Sequence, residues 1–139
     1  MWRELERLLE ASYRKVVGRD LRADAGGDLY EAPAALLMHG TEADPVFCYA
    51  NRTAQGLWGL TWDEFIRLPS RLSAEPLVQA ERERLLARVR AHGFIEDYEG
   101  VRIAKHGARF RIFGAVVWMV VVDGTTHGQA ALFRKWAPV

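Results

Sequence analysis

The stretch Arg109-Phe110-Arg111-Ile112-Phe113-Gly114-Ala115-Val116-Val117-Trp118-Met119-Val120-Val121-Val122 decides the fold. Its β-branched and aromatic content suits a pleated, packed strand. The apolar run inside it, Ile112 to Val122, is 11 residues, well short of the roughly 20 that a helix needs to cross a bilayer. The even positions Phe110, Ile112, Val116, Trp118, Val120 and Val122 are apolar, and so are Val117, Met119 and Val121 on the other side. A strand that is apolar on both sides must be covered on both.

Downstream, Asp123-Gly124 offers a hairpin turn into a strand over Gln129 to Trp136. Upstream, His106-Gly107 offers another, preceded by a strand from Ile95 to Ala104. Gly93 stops a longer helix that begins near Pro76. Its Leu85, Leu86 and Val89 form an apolar stripe, while Glu81, Arg82, Glu83, Arg84, Arg88 and Arg90 face water. Before it, Asn51 can cap a short helix containing Leu57 and Trp58, and Thr61 can cap another with Glu64 at capping-box distance, ended by Pro69. Ala35 to Met38 and Val46 to Ala50 read as two strands around a Gly- and Pro-containing loop. At the start, Trp2, Leu5, Leu9, Tyr13 and Val16 recur at helical spacing, giving an amphipathic helix that ends near Gly18. Arg22 to Asp28 reads as a connector.

The order predicts an α+β domain: a five-stranded antiparallel sheet with short helices and one longer helix on one face. The amphipathic N-terminal helix or a second subunit must cover the other face, so a homodimer is expected. Residues 1–22 are read as the leading helix and 23–139 as the domain.

At 139 residues, half of them hydrophobic, the chain is large enough for one substantial core. With 19 basic against 18 acidic residues and a net charge of +1, no strong field draws it to nucleic acid or an anionic membrane. The alternation of Glu81 and Glu83 with the arginines of the long helix points to a solvated face. The single cysteine, Cys48, excludes an internal disulfide and suits a reducing cytoplasm. The charged N-terminal residues do not read as a signal peptide.

The stretch Asp44-Pro45-Val46-Phe47-Cys48-Tyr49-Ala50-Asn51, followed by Leu57-Trp58-Gly59-Leu60-Thr61-Trp62-Asp63-Glu64-Phe65, resembles the PAS signature of a strand, an Asn-capped turn and two short helices. His39-Gly40-Thr41-Glu42, Pro69-Ser70-Arg71-Leu72-Ser73-Ala74-Glu75-Pro76, Arg109-Phe110-Arg111-Ile112 and Gly128-Gln129-Ala130-Ala131 are similar to the PAS-related MEKHLA domain family. The similarity extends through Ser12-Tyr13-Arg14 and Gly18-Arg19-Asp20-Leu21, as in free-standing bacterial members, and implies a complete protein. Related domains close plant class III homeodomain-leucine zipper regulators, which implies a sensory or dimer-controlling role. The family brings no defined catalytic residue.

PAS relatives also suggest cofactors. A flavin photosensor of the LOV type needs a cysteine between the second strand and the long helix, and Asn51 to His92 contains none. A haem sensor needs an axial histidine on the long helix, where only His92 stands, at the end. The cofactor is left open.

A small-molecule site requires a few polar groups converging in an apolar cleft. Asn51, Ser70, Arg71, Tyr98, Arg102 and Gln129 lie on or beside elements that a PAS-like fold turns toward its cavity, and Trp58 and Trp118 can line it or fill the core. Arg71 can clamp an anion bidentately or brace Glu75 at i+4. Cys48, between Val46, Phe47, Tyr49 and Ala50, reads as a packed thiol, with a redox role as the alternative. His39, His92, His106 and His127 all fall in loops or turns without an i, i+4 ligand partner, so no metal site is expected; His39 is retained as a ligand candidate. No nucleophile-base set, phosphate loop or metal motif suggests an enzyme. The sequence therefore predicts a cytoplasmic sensory module that takes a small apolar or amphipathic ligand between sheet and helices and signals through the leading helix or a dimer contact. The alternative is a ligand-free interaction module.

Overall fold

The computed structural model describes residues 2–74 and 79–139. The chain opens with α1 (Trp2–Ser12), which runs into a π-helical turn (Tyr13–Val17) closed by Gly18. The expected connector contains a further short helix, α2 (Leu21–Ala25), because the Asp20 side chain accepts from the Arg22 N–H and so caps its first turn. Two strands follow, β1 (Ala35–His39) and β2 (Phe47–Ala50). Then come α3 (Arg52–Trp58), α4 (Trp62–Phe65) and a 3₁₀ turn at Ser70–Ser73. The Thr61–Glu64 capping box forms as expected, but α4 ends at Phe65, ahead of Pro69. The longer helix is α5 (Gln79–His92). Its expected start near Pro76 lies outside the described residues. Of its expected stripe, Val89 is buried and Leu86 is exposed.

The rest is sheet: β3 (Phe94–Ile103), β4 (Arg109–Val122), β5 (Thr125–Phe133) and β6 (Lys135–Pro138). All pairings between these strands are antiparallel, in the order β2-β1-β5-β4-β3, with β6 also on β4. Six strands stand where five were expected. The last expected strand divides at Arg134: β5 lies along Val116–Val122 of β4, and β6 along Phe110–Phe113.

The expected single-faced row of even positions in β4 is corrected by a bulge. Tyr98 pairs with Ala115 but Gly100 pairs with Ile112, so β4 carries one extra residue between them. Gly114, at φ 59°, supplies the left-handed conformation this bulge needs. Side-chain parity reverses there. Phe110 and Ile112 pack with α3 and α4, whereas Val116, Trp118 and Val120 pack under α1.

The two faces therefore hold separate cores. Beneath α3 and α4 lie Ala35, Leu37, Phe47, Trp58, Phe65 and Phe133, together with those two β4 residues, and beneath α5 lie Ile95, Val117 and Val89. On the opposite face Leu9 and Tyr13 pack on Leu36, Met38, Trp118 and Leu132. The N-terminal helix of the same chain thus covers the face for which a second subunit was the other expectation.

Candidate functional site

Asn51 organises the entry to the helical layer. Its side chain accepts from the Leu36 N–H (3.1 Å) and the Ala54 N–H (3.1 Å) and donates to the carbonyls of Leu29 (2.9 Å) and Ala34 (2.8 Å). These bonds engage both its oxygen and its amide nitrogen, and the residue is fully buried. Asn51 therefore pins β1 to α3 rather than facing an open space.

Trp58 fills the middle of the helical face. Its ring meets Phe65, Phe110 and Phe133 edge-on at centroid distances of 5.7, 5.0 and 6.2 Å. Its indole N–H donates to the Ser73 carbonyl at 3.3 Å. Edge-to-face packing of this kind is close to solid.

On β3 the environment changes. Tyr98, Gly100 and Arg102 share the helical face, opposite Ala115, Ile112 and Phe110. Tyr98 folds its hydroxyl over Gly100, where a side chain would collide with it. The Arg102 guanidinium sits 5.3 Å from the centroid of the Tyr98 ring. Arg102 also forms a bridge with Ala74, at the end of the 3₁₀ turn. It is only half-buried, yet desolvation lowers its pKa from the ordinary value, opposed weakly by Tyr98. Among the described residues no carboxylate pairs with it.

The other candidates are dispersed. His39 and Gln129 are register partners at the far edge of the helical face, and the His39 ring Nδ1 lies 3.0 Å from the Gly40 carbonyl. Arg71 is exposed and bonds Asp44 at 3.2 Å to each carboxylate oxygen; Glu75, considered as its partner, lies outside the described residues. Trp118 and Cys48 pack on the α1 face. Cys48 is the extra residue of a bulge between β1 and β2, and its thiol lies 3.6 Å from the Met38 carbonyl. Burial, aided by Glu42, pushes that thiol up to about 11.

The α1 face holds polar bonds that sequence reading missed. The Trp118 indole donates to Ser12 Oγ (3.0 Å), and the Tyr49 hydroxyl donates to Glu6 Oε2 (2.7 Å); Ser12 and Glu6 are both buried. Tyr13 donates to Asp24, which Arg19 also contacts at 2.7 Å while reaching Glu96 of β3 at 2.6 Å. Burial and the Asp24 contact push the Tyr13 hydroxyl up to about 12. Only the placement of Ser12 and Glu6 within an amphipathic helix could have hinted at these bonds.

The MEKHLA domain profile matches residues 3–138. The chain belongs to the MEKHLA domain family. Comparison with curated protein sequences gives no match. Among solved structures, this MEKHLA domain is similar to the PAS domain of a Colwellia psychrerythraea protein, at TM-score 0.61 and 15% identity over 85% of this chain and 93% of that one. It is similar to a fungal LOV domain photoreceptor at TM-score 0.59 and 16% identity, over 90% and 87%. An RNA-binding light-oxygen-voltage receptor matches at TM-score 0.62 and 19% identity, over 80% of this chain and 31% of that one. These likenesses establish a PAS-type fold.

LOV relatives raise the question of flavin. The MEKHLA chain has no cysteine between Asn51 and His92, and Trp58 with its three phenylalanines fills the space beneath α3. Cys48 faces the opposite core with a raised pKa. A photosite using a cysteine on the short helices does not fit these residues. Among the described residues no group of three or more His, Cys, Asp or Glu is arranged to hold a metal, and no helix is long and apolar enough to cross a membrane.

Proposed function

We propose that this MEKHLA domain is a non-catalytic, cytosolic sensory module. It takes a small amphipathic molecule on the helical face of the sheet, with an acidic end at Arg102 and an apolar body toward the α5 side of the layer. The supporting observation is the Arg102 guanidinium, desolvated, stacked over Tyr98 and without a carboxylate partner among the described residues. Ile95, Val117 and Leu85 make that side apolar, and Tyr98 packs against them. The leading helix is suited to report occupancy because it lies on the opposite face of the same β4 strand.

Native mass spectrometry of the purified chain tests this. A co-purifying acid, or an added medium-chain carboxylate, should be retained by the wild type in one equivalent more than by Arg102→Gln. Equal retention by both proteins, or none by either, sinks the proposal.

The packed rings around Trp58 favour a second reading, a ligand-free interaction module acting as a homodimer through α1 or an exposed sheet surface. Ser12→Ala loosens α1 without stripping the core of Leu9 and Tyr13. A concentration-dependent dimer that this change weakens would support the second reading.

A further inference from the structure

The bulge that reverses β4 has a second consequence on the α1 face. Above it, α1 and the π-turn cover Val116, Trp118 and Val120. Beside it, a cleft of 410 Å³ opens between the end of α2, the Phe113–Gly114 kink and the β5–β6 break at Arg134. That volume is within the range of small-molecule sites. Its floor is apolar: Phe113, Val116 and Leu132. A Cβ built on Gly114 would meet nothing within 4 Å, so the kink itself borders open space.

The rim is mainly cationic. Arg19, Arg134 and Lys135 line it against one carboxylate, Asp24. Arg19 is already engaged by Asp24 and Glu96. Arg134 bonds the Asp24 backbone carbonyl at 3.4 Å and its charge also acts on the Asp24 carboxylate, but among the described residues neither Arg134 nor Lys135 has an ion pair. Two cations without an ion pair among the described residues thus stand beside an apolar floor. Because parity separates this cleft from Arg102, the two sites lie on opposite faces of β4.

We propose that this cleft is a binding site for a small amphipathic carboxylate. The acid group meets Arg134 and Lys135, and an aryl or alkyl body lies over Phe113, Val116 and Leu132. The cleft also borders Tyr13 and Asp24, so an occupant there braces the attachment of the leading helix to the sheet.

The test is titration with 4-phenylbutyrate, followed by amide NMR of the intact chain. Shifts should centre on residues 113–116 and 132–135. The double variant Arg134→Glu/Lys135→Glu should weaken binding at least about tenfold, the size expected for losing a charge-assisted contact. Both positions are exposed, so its melting temperature should stay at the wild-type value. The neutral analogue 4-phenylbutan-1-ol should bind more weakly than the acid. Arg102→Gln should bind 4-phenylbutyrate at this cleft as the wild type does, which separates this site from the one on the helical face. Shifts confined to Tyr98, Arg102 and their neighbours, unchanged affinity in the double variant, or no saturable shift at millimolar probe would each overturn the proposal.

Discussion

Under α3 and α4 the sheet is closed chiefly by interlocked rings, whereas under α1 an apolar core with its own ring contacts, Trp2–Tyr30 and Tyr13–Trp118, is also tied by side-chain bonds between residues distant in sequence. Trp58, Phe65, Phe110 and Phe133 form the first seal, and Ser12–Trp118, Glu6–Tyr49 and Tyr13–Asp24 fasten the second. The α1 side carries the directional bonds that can open together. Ring packing is lost gradually and everywhere, since each contact is small and the sum is large. A few directional bonds can open as a set while the sheet beneath keeps its ladder. On the proposed sensory reading, the α1 face is the lever that transmits the signal and the α3 face its anchor.

The largest expected effects come from the two central tryptophans. Trp58→Ala and Trp118→Ala should each cost about 3–5 kcal/mol in denaturant unfolding. They should differ in where amide exchange accelerates. Trp118→Ala should release residues 2–25 first, while Trp58→Ala should raise exchange throughout the domain. Matching exchange patterns in the two variants would erase the distinction between anchor and lever.

Much of the anchor was legible in the sequence, and little of the lever was. Asn51, Thr61 and Glu64 announce their helices because caps are local, and Asp123-Gly124 announces its hairpin for the same reason. The arrangement of strands also followed from turns and alternation. The parity reversal at Gly114 did not: a glycine within an apolar strand does not say whether the chain bulges there, and one extra residue sends Val116, Trp118 and Val120 to the other core. The β5–β6 break escaped for a similar reason, since Arg134 interrupts pairing without a glycine or proline. Of the candidate site, Tyr98 and Arg102 were found together, while His39, Asn51, Arg71, Trp118 and Cys48 lie apart from them. Nothing local distinguishes a polar residue that faces a cleft from one that braces a loop. Ser12 and Glu6 were missed because their partners, Trp118 and Tyr49, are 106 and 43 residues away.

A smaller loss is expected at Glu6. Replacing it with Ala leaves the Tyr49 hydroxyl buried without its acceptor, which should cost about 1–3 kcal/mol. Gly128→Ala offers a check elsewhere in the sheet: an added methyl would collide with the His39 carbonyl at a φ of 153° that only glycine holds without strain, so it should destabilise β1–β5 pairing without preferentially freeing α1. Exchange limited to residues 2–17 in that variant would contradict the assignment of the lever to α1.

Tyr13→Phe is milder still, about 1 kcal/mol, since the ring stays edge-on to Trp118 at 4.8 Å and Arg19 continues to hold Asp24. Its signature is the pH dependence. The folded-state value of Tyr13 is raised to about 12, chiefly by burial and then by Asp24. A raised value means that the contribution is fully present below about 10, the ordinary tyrosine value, and fades as pH climbs through about 12. The stability advantage of wild type over Tyr13→Phe should narrow across that interval. An advantage that stays constant there would show that the hydroxyl is not held in this network.

Cys48 packs on the α1-face core, and its effect is on reactivity rather than stability. Burial first, and Glu42 second, raise its thiol to about 11 from an ordinary value near 9. At pH 8 the thiolate fraction, and with it the rate of alkylation by iodoacetamide, should therefore fall about a hundredfold below that of an unstructured cysteine. Opening α1 supplies the sharper comparison, because Cys48 packs among the residues that α1 covers. Ser12→Ala should speed alkylation of the native protein, whereas Leu86→Ala, at an exposed position on α5, should leave it unchanged. If Cys48 in the wild type reacts as fast as a free thiol, the β1–β2 bulge is open to solvent and α1 does not seal this edge. If instead only global unfolding exposes it, with Ser12→Ala matching wild type, then the bonds under α1 hold no more loosely than the rings under α3, and the two faces act as one unit.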